Sequence, residues 1–268
     1  MRCAAAGTPG AAALGAAMFG LGRKPAAASG AQVPAGLRVY AVGDVHGRFD
    51  LLRQLLRLIE ADNAARGTAE THVVMLGDLI DRGPESAEII DFFLAGPPSF
   101  ACFHFVMGNH EEMLLKQIYE PSEESLSHFL RYGGRETFES YGVPQRVLDM
   151  PERYSFAGLT DAVPQSHRAF LEGMEDMVRF GDYLFVHAGI RPDVPIEEQS
   201  PSDLRWIRAQ FLHSDVDHGV VVVHGHTIID EPEIRHNRIG IDTGAYQSGR
   251  LTALGLEGGD RWLIATGD

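Results

Sequence analysis

Lysine is nearly absent from this chain of 268 residues: only Lys24 and Lys116 occur, followed by Pro25 and Gln117. No glycine-rich loop therefore ends in Lys-Ser or Lys-Thr, which excludes nucleotide hydrolysis of the Walker type. Cysteine is as scarce, with Cys3 and Cys102 alone. Two such thiols make neither a CxxC pair nor a zinc finger, exclude a disulfide scaffold, and fit a reducing compartment. Neither is followed six positions later by arginine, since Cys3 leads to Pro9 and Cys102 to Gly108. The phosphate loop of a thiol-based phosphatase is therefore missing too. Positive charge is in deficit, with 23 basic against 37 acidic side chains and a formal charge of −14. Gripping a nucleic-acid backbone needs the opposite balance, so nucleic acid is not expected as a partner. No apolar run approaches the ~18 residues of a membrane span, and no membrane partner is expected either.

What remains is a chain long and apolar enough to bury its own core without covalent staples. Residues 1–36 are dominated by Ala and Gly, broken by Pro9, Pro25 and Pro34, and read as a disordered tail. Arg2 ahead of small residues resembles the start of a secretory signal, but Thr8, Pro9, Gly10 and Gly15 interrupt its apolar core. A cytoplasmic location is expected, and Met18 offers an internal translation start. From Leu37 a strand-turn-helix rhythm sets in. Leu37 to Val42 ends at Gly43 and is followed by Leu51, Leu52, Leu55, Leu56 and Ile59 at helical spacing. His72 to Leu76 and the helix Ser86 to Leu94 make a second unit; Phe100 to Met107 and Glu111 to Ile118 make a third. Three such units imply right-handed crossovers and a parallel sheet. Residues 119–180 are more polar and rich in Gly and Pro, with helical patches at Leu126 to Leu130 and His167 to Gly173, and read as an insert. Strands return at Tyr183 to Val186, Val220 to Val223, Arg238 to Ile241, Leu251 to Leu256 and Arg261 to Ala265, predicting a mixed or antiparallel sheet in the second half.

Each early strand ends in Gly and is followed by metal-type side chains: Asp44 and His46, then Asp78 and Asp81, then Asn109, His110 and Glu111. Later strands repeat this with His187, and with His224 and His226. Singly, each has a bland explanation. Asp44 or Asp78 suits a turn or a helix cap, His187 or His226 a half-buried core position, and Arg82 an ion pair with Asp81. The carboxyl ends of strands in an open α/β sheet line one crevice, however, and separate causes would have to put every donor at that same edge.

These blocks, Gly43-Asp44-Val45-His46-Gly47, Gly77-Asp78-Leu79-Ile80-Asp81-Arg82-Gly83 and Gly108-Asn109-His110-Glu111, resemble the signature of the phosphoprotein phosphatase family of calcineurin-like metallophosphoesterases, and most of all its bacterial and phage-type members. Later blocks match as well: His187-Ala188-Gly189, Trp206-Ile207-Arg208, Gly225-His226-Thr227 and Ile241-Asp242-Thr243-Gly244-Ala245. The resemblance runs from Leu37 to the C-terminus in order and spacing, with the tail outside it and the insert matching loosely. It implies an α/β sandwich of mixed sheets flanked by helices, residues 119–180 being a helical cap on a catalytic domain of residues 37–268. It further implies that Asp44, His46 and Asp78 bind one metal while Asp78, Asn109, His187 and His226 bind a second, with Asp78 bridging.

Carboxylate, amide and imidazole donors suit Mn, with Fe or Zn as alternatives, better than Ca or Mg. Two such cations ~3.5 to 4 Å apart share a water and generate hydroxide near neutral pH. His110, oriented by Asp81, matches the family's general acid, and Arg82 and Arg208 its phosphate clamps. Between His224 and His226 strand spacing does not choose, because both point to one face; the family pattern favours His226. Asp242 is assigned a supporting role rather than ligation, and Glu111 the head of its helix, where a carboxylate favours the dipole. The resemblance assigns no role to Arg48, Arg191 and Arg205, which are left as surface residues or auxiliary phosphate contacts.

The implied activity is hydrolysis of phosphoserine or phosphothreonine in proteins. A diadenosine tetraphosphate hydrolase shares the same motifs, and cap aromatics such as Phe129, Tyr132, Phe138 and Tyr141 serve either an adenine stack or an ordinary cap core. An inactive binding module on the same scaffold is a third reading, disfavoured because every ligand position is filled. One departure stands out: Tyr132-Gly133-Gly134 lies where bacterial relatives often carry Asn-Gly-Gly.

Overall fold

The computed structural model describes residues 30–149 and 159–267. Of the expected tail, residues 1–29, with Cys3 and Met18, lie outside the described residues, as do residues 150–158 of the expected cap.

Among the described residues, ten strands form two sheets. β1 (Leu37–Val42), β2 (Glu70–Met75) and β3 (Cys102–Phe105) run parallel, and each leads into a helix: α1 (Phe49–Ala65), α2 (Ser86–Ala95) and α3 (Asn109–Tyr119). Cap helices α4 (Glu123–Phe129) and α5 (Arg135–Ser140) follow. β4 (Val178–Phe180), β5 (Tyr183–Phe185), β6 (Val221–His224), β7 (Glu233–Ile234) and β8 (Arg238–Gly240) make the second sheet in the order β4-β5-β6-β8-β7, with a parallel centre and antiparallel edges. β9 (Thr252–Glu257) and β10 (Asp260–Ala265) return to the first sheet, whose order is β10-β9-β1-β2-β3.

Strand alternation builds the layers. On one face of the first sheet, Tyr40, Val42, Val73 and Met75 meet the Leu51, Leu52, Leu55, Leu56 and Ile59 stripe of α1 together with α2, α3 and the cap. On the other, Val39, Ala41, Val74, Leu76, Leu254 and Leu256 meet Tyr183, Phe185, Val221, Val223 and Ile239 of the second sheet. Leu184, Val186 and Val222 on the far face of that sheet are covered by Leu204, Ile207 and Phe211. The result is a four-layer sandwich with helices outside and two sheets within.

Several sequence-based boundaries move. Packing begins before Leu37: Val33 is buried and its N–H donates to Gly258 O at 2.9 Å, and Gln32 N–H donates to Asp182 Oδ2 at 2.9 Å. Residues 31–36 are thus held by both sheets rather than belonging to a free tail. The insert ends early, because Val178–Phe180 pairs with β5 as an edge strand. β3 is shorter than the apolar run Phe100 to Met107 suggested, and the last two strands complete the first sheet instead of extending the second. Among the described residues no helix is long and apolar enough to cross a membrane.

Arg38 of β1 is fully buried. Its guanidinium grips Glu257 through Nε and Nη2 at 2.8 and 3.2 Å, and donates to the carbonyl of Asn63 in the last turn of α1 and to those of Arg66 and Gly67 just beyond it. One side chain thereby fastens β1, β9 and α1. Arg38→Ala leaves the Glu257 side chain and three carbonyls without that partner, and an unfolding free energy lower by about 3 kcal/mol is expected from urea denaturation; an unchanged midpoint would refute the clamp.

Candidate active site

The carboxyl ends of β1, β2 and β3 and of β5 and β6 meet at one edge of the sandwich, so residues far apart in sequence converge. Asp78 Oδ2 is the centre. His187 Nε2 lies 3.4 Å from it, His46 Nε2 3.5 Å and His110 Nε2 3.8 Å. His187 Nε2 also faces Asn109 Oδ1 at 2.9 Å and His226 Nδ1 at 3.1 Å. Asp44 lies behind His226, accepting its backbone N–H at 3.1 Å.

Backbone carbonyls fix the tautomers. His46 Nδ1 donates to Ile80 O at 2.9 Å and His187 Nδ1 to Leu76 O at 2.8 Å, which leaves each Nε2 as a lone pair aimed inward. His46 Nε2 and His226 Nε2 are buried without a hydrogen-bond partner. Burial lowers the pKa of His46, His187 and His226, His187 to about 4, so these rings are neutral near pH 7. Burial, with neighbouring carboxylates, raises that of Asp44 and Asp78. Lone pairs facing lone pairs in a buried place are stable only with positive charge among them, and this donor set fits divalent cations. Two overlapping triads, His46-Asp78-His110 and Asp78-His187-His226, have donor atoms close enough to hold an ion.

A second array flanks the first. His110 Nδ1 donates to Asp81 Oδ2 at 2.6 Å, and Thr137 Oγ1 of the cap donates to Asp81 Oδ1 at 2.5 Å. The Asp81 N–H is held by Ser86 and Thr137. Arg82 Nη2 donates to His110 Nε2 at 3.1 Å, and its guanidinium lies 4.7 Å from the Tyr246 ring. Arg208 is exposed, its Nη1 donating to Thr227 Oγ1 at 3.1 Å beside His226.

The ten residues singled out from sequence, Asp44, His46, Asp78, Asp81, Arg82, Asn109, His110, His187, Arg208 and His226, thus gather at one edge. His224 does not join them. It closes β6, while His226 two residues on has φ 63, so strand alternation has ended and the side chains diverge. His224 lies against Phe211, with centroids 5.2 Å apart. Five of the six non-glycine residues with positive φ among the described residues, His46, Asp78, Asp81, Arg82 and His226, are in this site, where backbone strain aims the side chains.

Four contributors escaped the sequence. Glu111 does more than head α3: its carboxylate accepts the N–H groups of Asp78, Leu79, Ile80 and Gly108 at 2.7 to 3.3 Å and holds the whole Asp78 loop. Thr137 props Asp81 from the cap. Gly133, with φ 113, accepts the Arg82 N–H at its carbonyl, and a Cβ there would lie 2.5 Å from Arg82 Cγ; the Gly133-Gly134 doublet was the available signal. Tyr246 packs edge-on against His46, 5.4 Å between centroids. Of the cap aromatics, Phe129 and Phe138 are core residues packed on each other, Tyr141 binds His167, and Tyr132 is exposed.

Known proteins agree with this architecture. Residues 37–252 match the family profile described as calcineurin-like phosphoesterase. A symmetrical bis(5'-nucleosyl)-tetraphosphatase of Methylococcus capsulatus is 31% identical over 58% of this chain, but that match spans only 44% of its own length. An asymmetrical bis(5'-nucleosyl)-tetraphosphatase, PrpE of Bacillus velezensis, is 25% identical over 80% of this chain and 86% of its own. Serine/threonine-protein phosphatase 2 of Escherichia coli is 26% identical over 80% and 90%. Among solved structures, a candidate diadenosine tetraphosphatase superposes with a TM-score of 0.58 at 21% identity, covering 88% of this chain and 98% of that one, and so shares the fold.

Replacing Glu111 with Ala strips four N–H groups of their acceptor. The expected result is a loss of at least about 3 kcal/mol in stability together with weakened cation binding by the Asp78 cluster, read by denaturation and by metal analysis. Retention of both would show that the loop holds itself.

Proposed function

Because the chain belongs to the calcineurin-like phosphoesterase family, we propose that it hydrolyses the phosphoanhydride bonds of dinucleoside polyphosphates with two divalent cations at the Asp78 cluster. The observation that carries the chemistry is the meeting of buried, inward-facing lone pairs around Asp78 Oδ2 with the His110–Asp81 pair beside them. Asp44, His46 and Asp78 would hold one cation, and Asp78, Asn109, His187 and His226 the other. Mn suits these donors best, with Fe and Zn as alternatives. Bound there, divalent cations lower the pKa of water and offset charge on the phosphoryl oxygens.

The chain's own groups supply the rest. Asp81 fixes His110 with Nδ1–H bonded and Nε2 turned to the site, where a proton on Nε2 can be handed to the leaving oxygen. Arg82 donates to that same Nε2, so protonating it releases the guanidinium to bind a phosphoryl oxygen. Arg208, exposed beside His226, approaches from the other side.

The substrate reading rests on the nucleosyl-tetraphosphatase names of the relatives and on the rings at the rim. Exposed Tyr132 adjoins Gly133, which contacts Arg82; Trp206 lies 6.5 Å from the His226 ring, and Tyr246 beside His46. A purine can stack on such rings, while a phosphoserine side chain has no use for them. Phosphoserine or phosphothreonine in proteins, the first expectation from sequence, is the second reading, favoured by the Escherichia coli phosphatase match.

In a side-by-side assay with Mn, diadenosine tetraphosphate is expected to be preferred to a phosphothreonine peptide, and chelation to abolish turnover until the cation is restored. Asp78→Asn should lose bound metal and activity together, whereas His110→Asn should keep its metal and lose about 10²- to 10⁴-fold in kcat. Preference for the peptide would reverse the substrate order. Full activity in His110→Asn would remove the acid.

Tyr132→Ala is expected to raise KM for the dinucleotide roughly tenfold, with turnover of a small aryl phosphate unchanged. Equal effects on both substrates would exclude stacking.

A further inference from the structure

The rim of the site beside His226 is made by the short helix Pro201–Trp206 and the residues that leave it. Trp206 is exposed, and its indole stands nearly edge-on to the His226 ring, with centroids 6.5 Å apart. Ile207 is buried behind it. An exposed indole can give its N–H to water, yet this one gives it to a carboxylate, Trp206 Nε1 donating to Glu112 Oε2. The second oxygen of that carboxylate is also taken, because Arg205 Nη1 donates to Glu112 Oε1 at 2.7 Å.

Arg205 is gripped from its other side by Asp176, whose Oδ1 accepts Nε at 2.9 Å and Nη2 at 2.5 Å. Both carboxylates sit on the frame that carries the active-site donors. Glu112 is in the first turn of α3, two residues after His110 and three after Asn109. Asp176 follows Glu175, which bridges to Val106 just past β3 and whose carbonyl accepts the Met107 N–H at 2.8 Å. The Arg205 side chain is mostly buried, so this bracket keeps a fixed geometry that a fully exposed ion pair would not. With Nε1 anchored and the ring against His226, the plane of the indole is set before any ligand arrives. Fixing a recognition group beforehand removes the ordering that binding would otherwise demand of it. A carboxylate serving only the helix dipole of α3 would have no need of the indole N–H.

We propose that Glu112 is a positioning residue for substrate recognition: steadied by Arg205 and Asp176, it holds the Trp206 indole as a preset stacking face for one base of the dinucleotide. Trp206 serves the His226 side of the site, and Tyr132 the Arg82 side. The inference rests on the dinucleotide reading and adds to it the group that orients one of its rings.

The test is steady-state kinetics with diadenosine tetraphosphate and Mn in the unaltered chain, Glu112→Ala, Trp206→Phe and the double variant, with folding checked by thermal denaturation. Trp206→Phe keeps a ring but has no N–H to give. Glu112→Ala is expected to raise KM about fivefold with kcat within about twofold, the low end of what one base stack contributes. Trp206→Phe should show a similar rise, and adding Glu112→Ala to it should change KM no further. Glu112→Gln, which keeps an acceptor for the indole N–H, should restore most of the loss. An unchanged KM in Glu112→Ala or in Trp206→Phe overturns the proposal. So does a rise from Glu112→Ala that is equal with and without the indole, since it would reduce Glu112 to a support of the fold. Absence of dinucleotide turnover in the unaltered chain overturns the dinucleotide reading itself, and this inference with it.

Discussion

Four backbone N–H groups end on the carboxylate of Glu111, and the loop they belong to carries Asp78. That loop lies at the end of β2, where the chain must turn out of the sheet while presenting a carboxylate to donors from four other strand ends. A turn of this kind leaves its N–H groups without ladder partners, and buried N–H groups need acceptors. Glu111 supplies them from the first turn of α3. The geometry around Asp78 Oδ2, and with it the approach of His46, His187 and His110, follows from a bond network that involves none of the cation-facing atoms.

The strained backbone at His46, Asp78, Asp81, Arg82 and His226 belongs to the same logic. Side chains in regular strands alternate between faces and cannot converge on a point beyond the sheet edge. Left-handed residues just past β1, β2 and β6 break the alternation and turn donors inward. They are held there by contacts such as Gly47 against Gly83, where a Cβ on either glycine would collide with the other's backbone. Strain at these positions is sustained by the surrounding packing rather than by local preference.

Much of this was legible in the sequence. The apolar runs of β1, β2, β5 and β6, the leucine stripe of α1, and the Gly-Asp and Gly-Asn endings located both the parallel strands and the ten clustered residues. Less legible was whatever depends on long-range pairing. Nothing local says that β9 returns to β1, that Val178–Phe180 leaves the cap to edge the second sheet, or that Val33 is pinned by Gly258. His224 shows the limit of spacing arguments, since the two-residue interval holds only while the strand continues. Glu111 was assigned from its place on the helix, when three of its four partners lie more than thirty positions away. In the cap, periodicity could not separate the buried Phe129 and Phe138 from the exposed Tyr132.

Arg38 bears on how the molecule comes into being. Its partner Glu257 is 219 positions further on, and β1 has β9 as its second neighbour. A chain emerging from the ribosome can pair β1, β2 and β3 early, while one edge of β1 stays open and the Arg38 guanidinium lacks its counter-charge. The first sheet closes only after Glu257 has been made, 219 positions beyond Arg38, so through that whole interval the nascent chain carries an unprotected strand edge, and folding on the ribosome depends on keeping that edge from other chains.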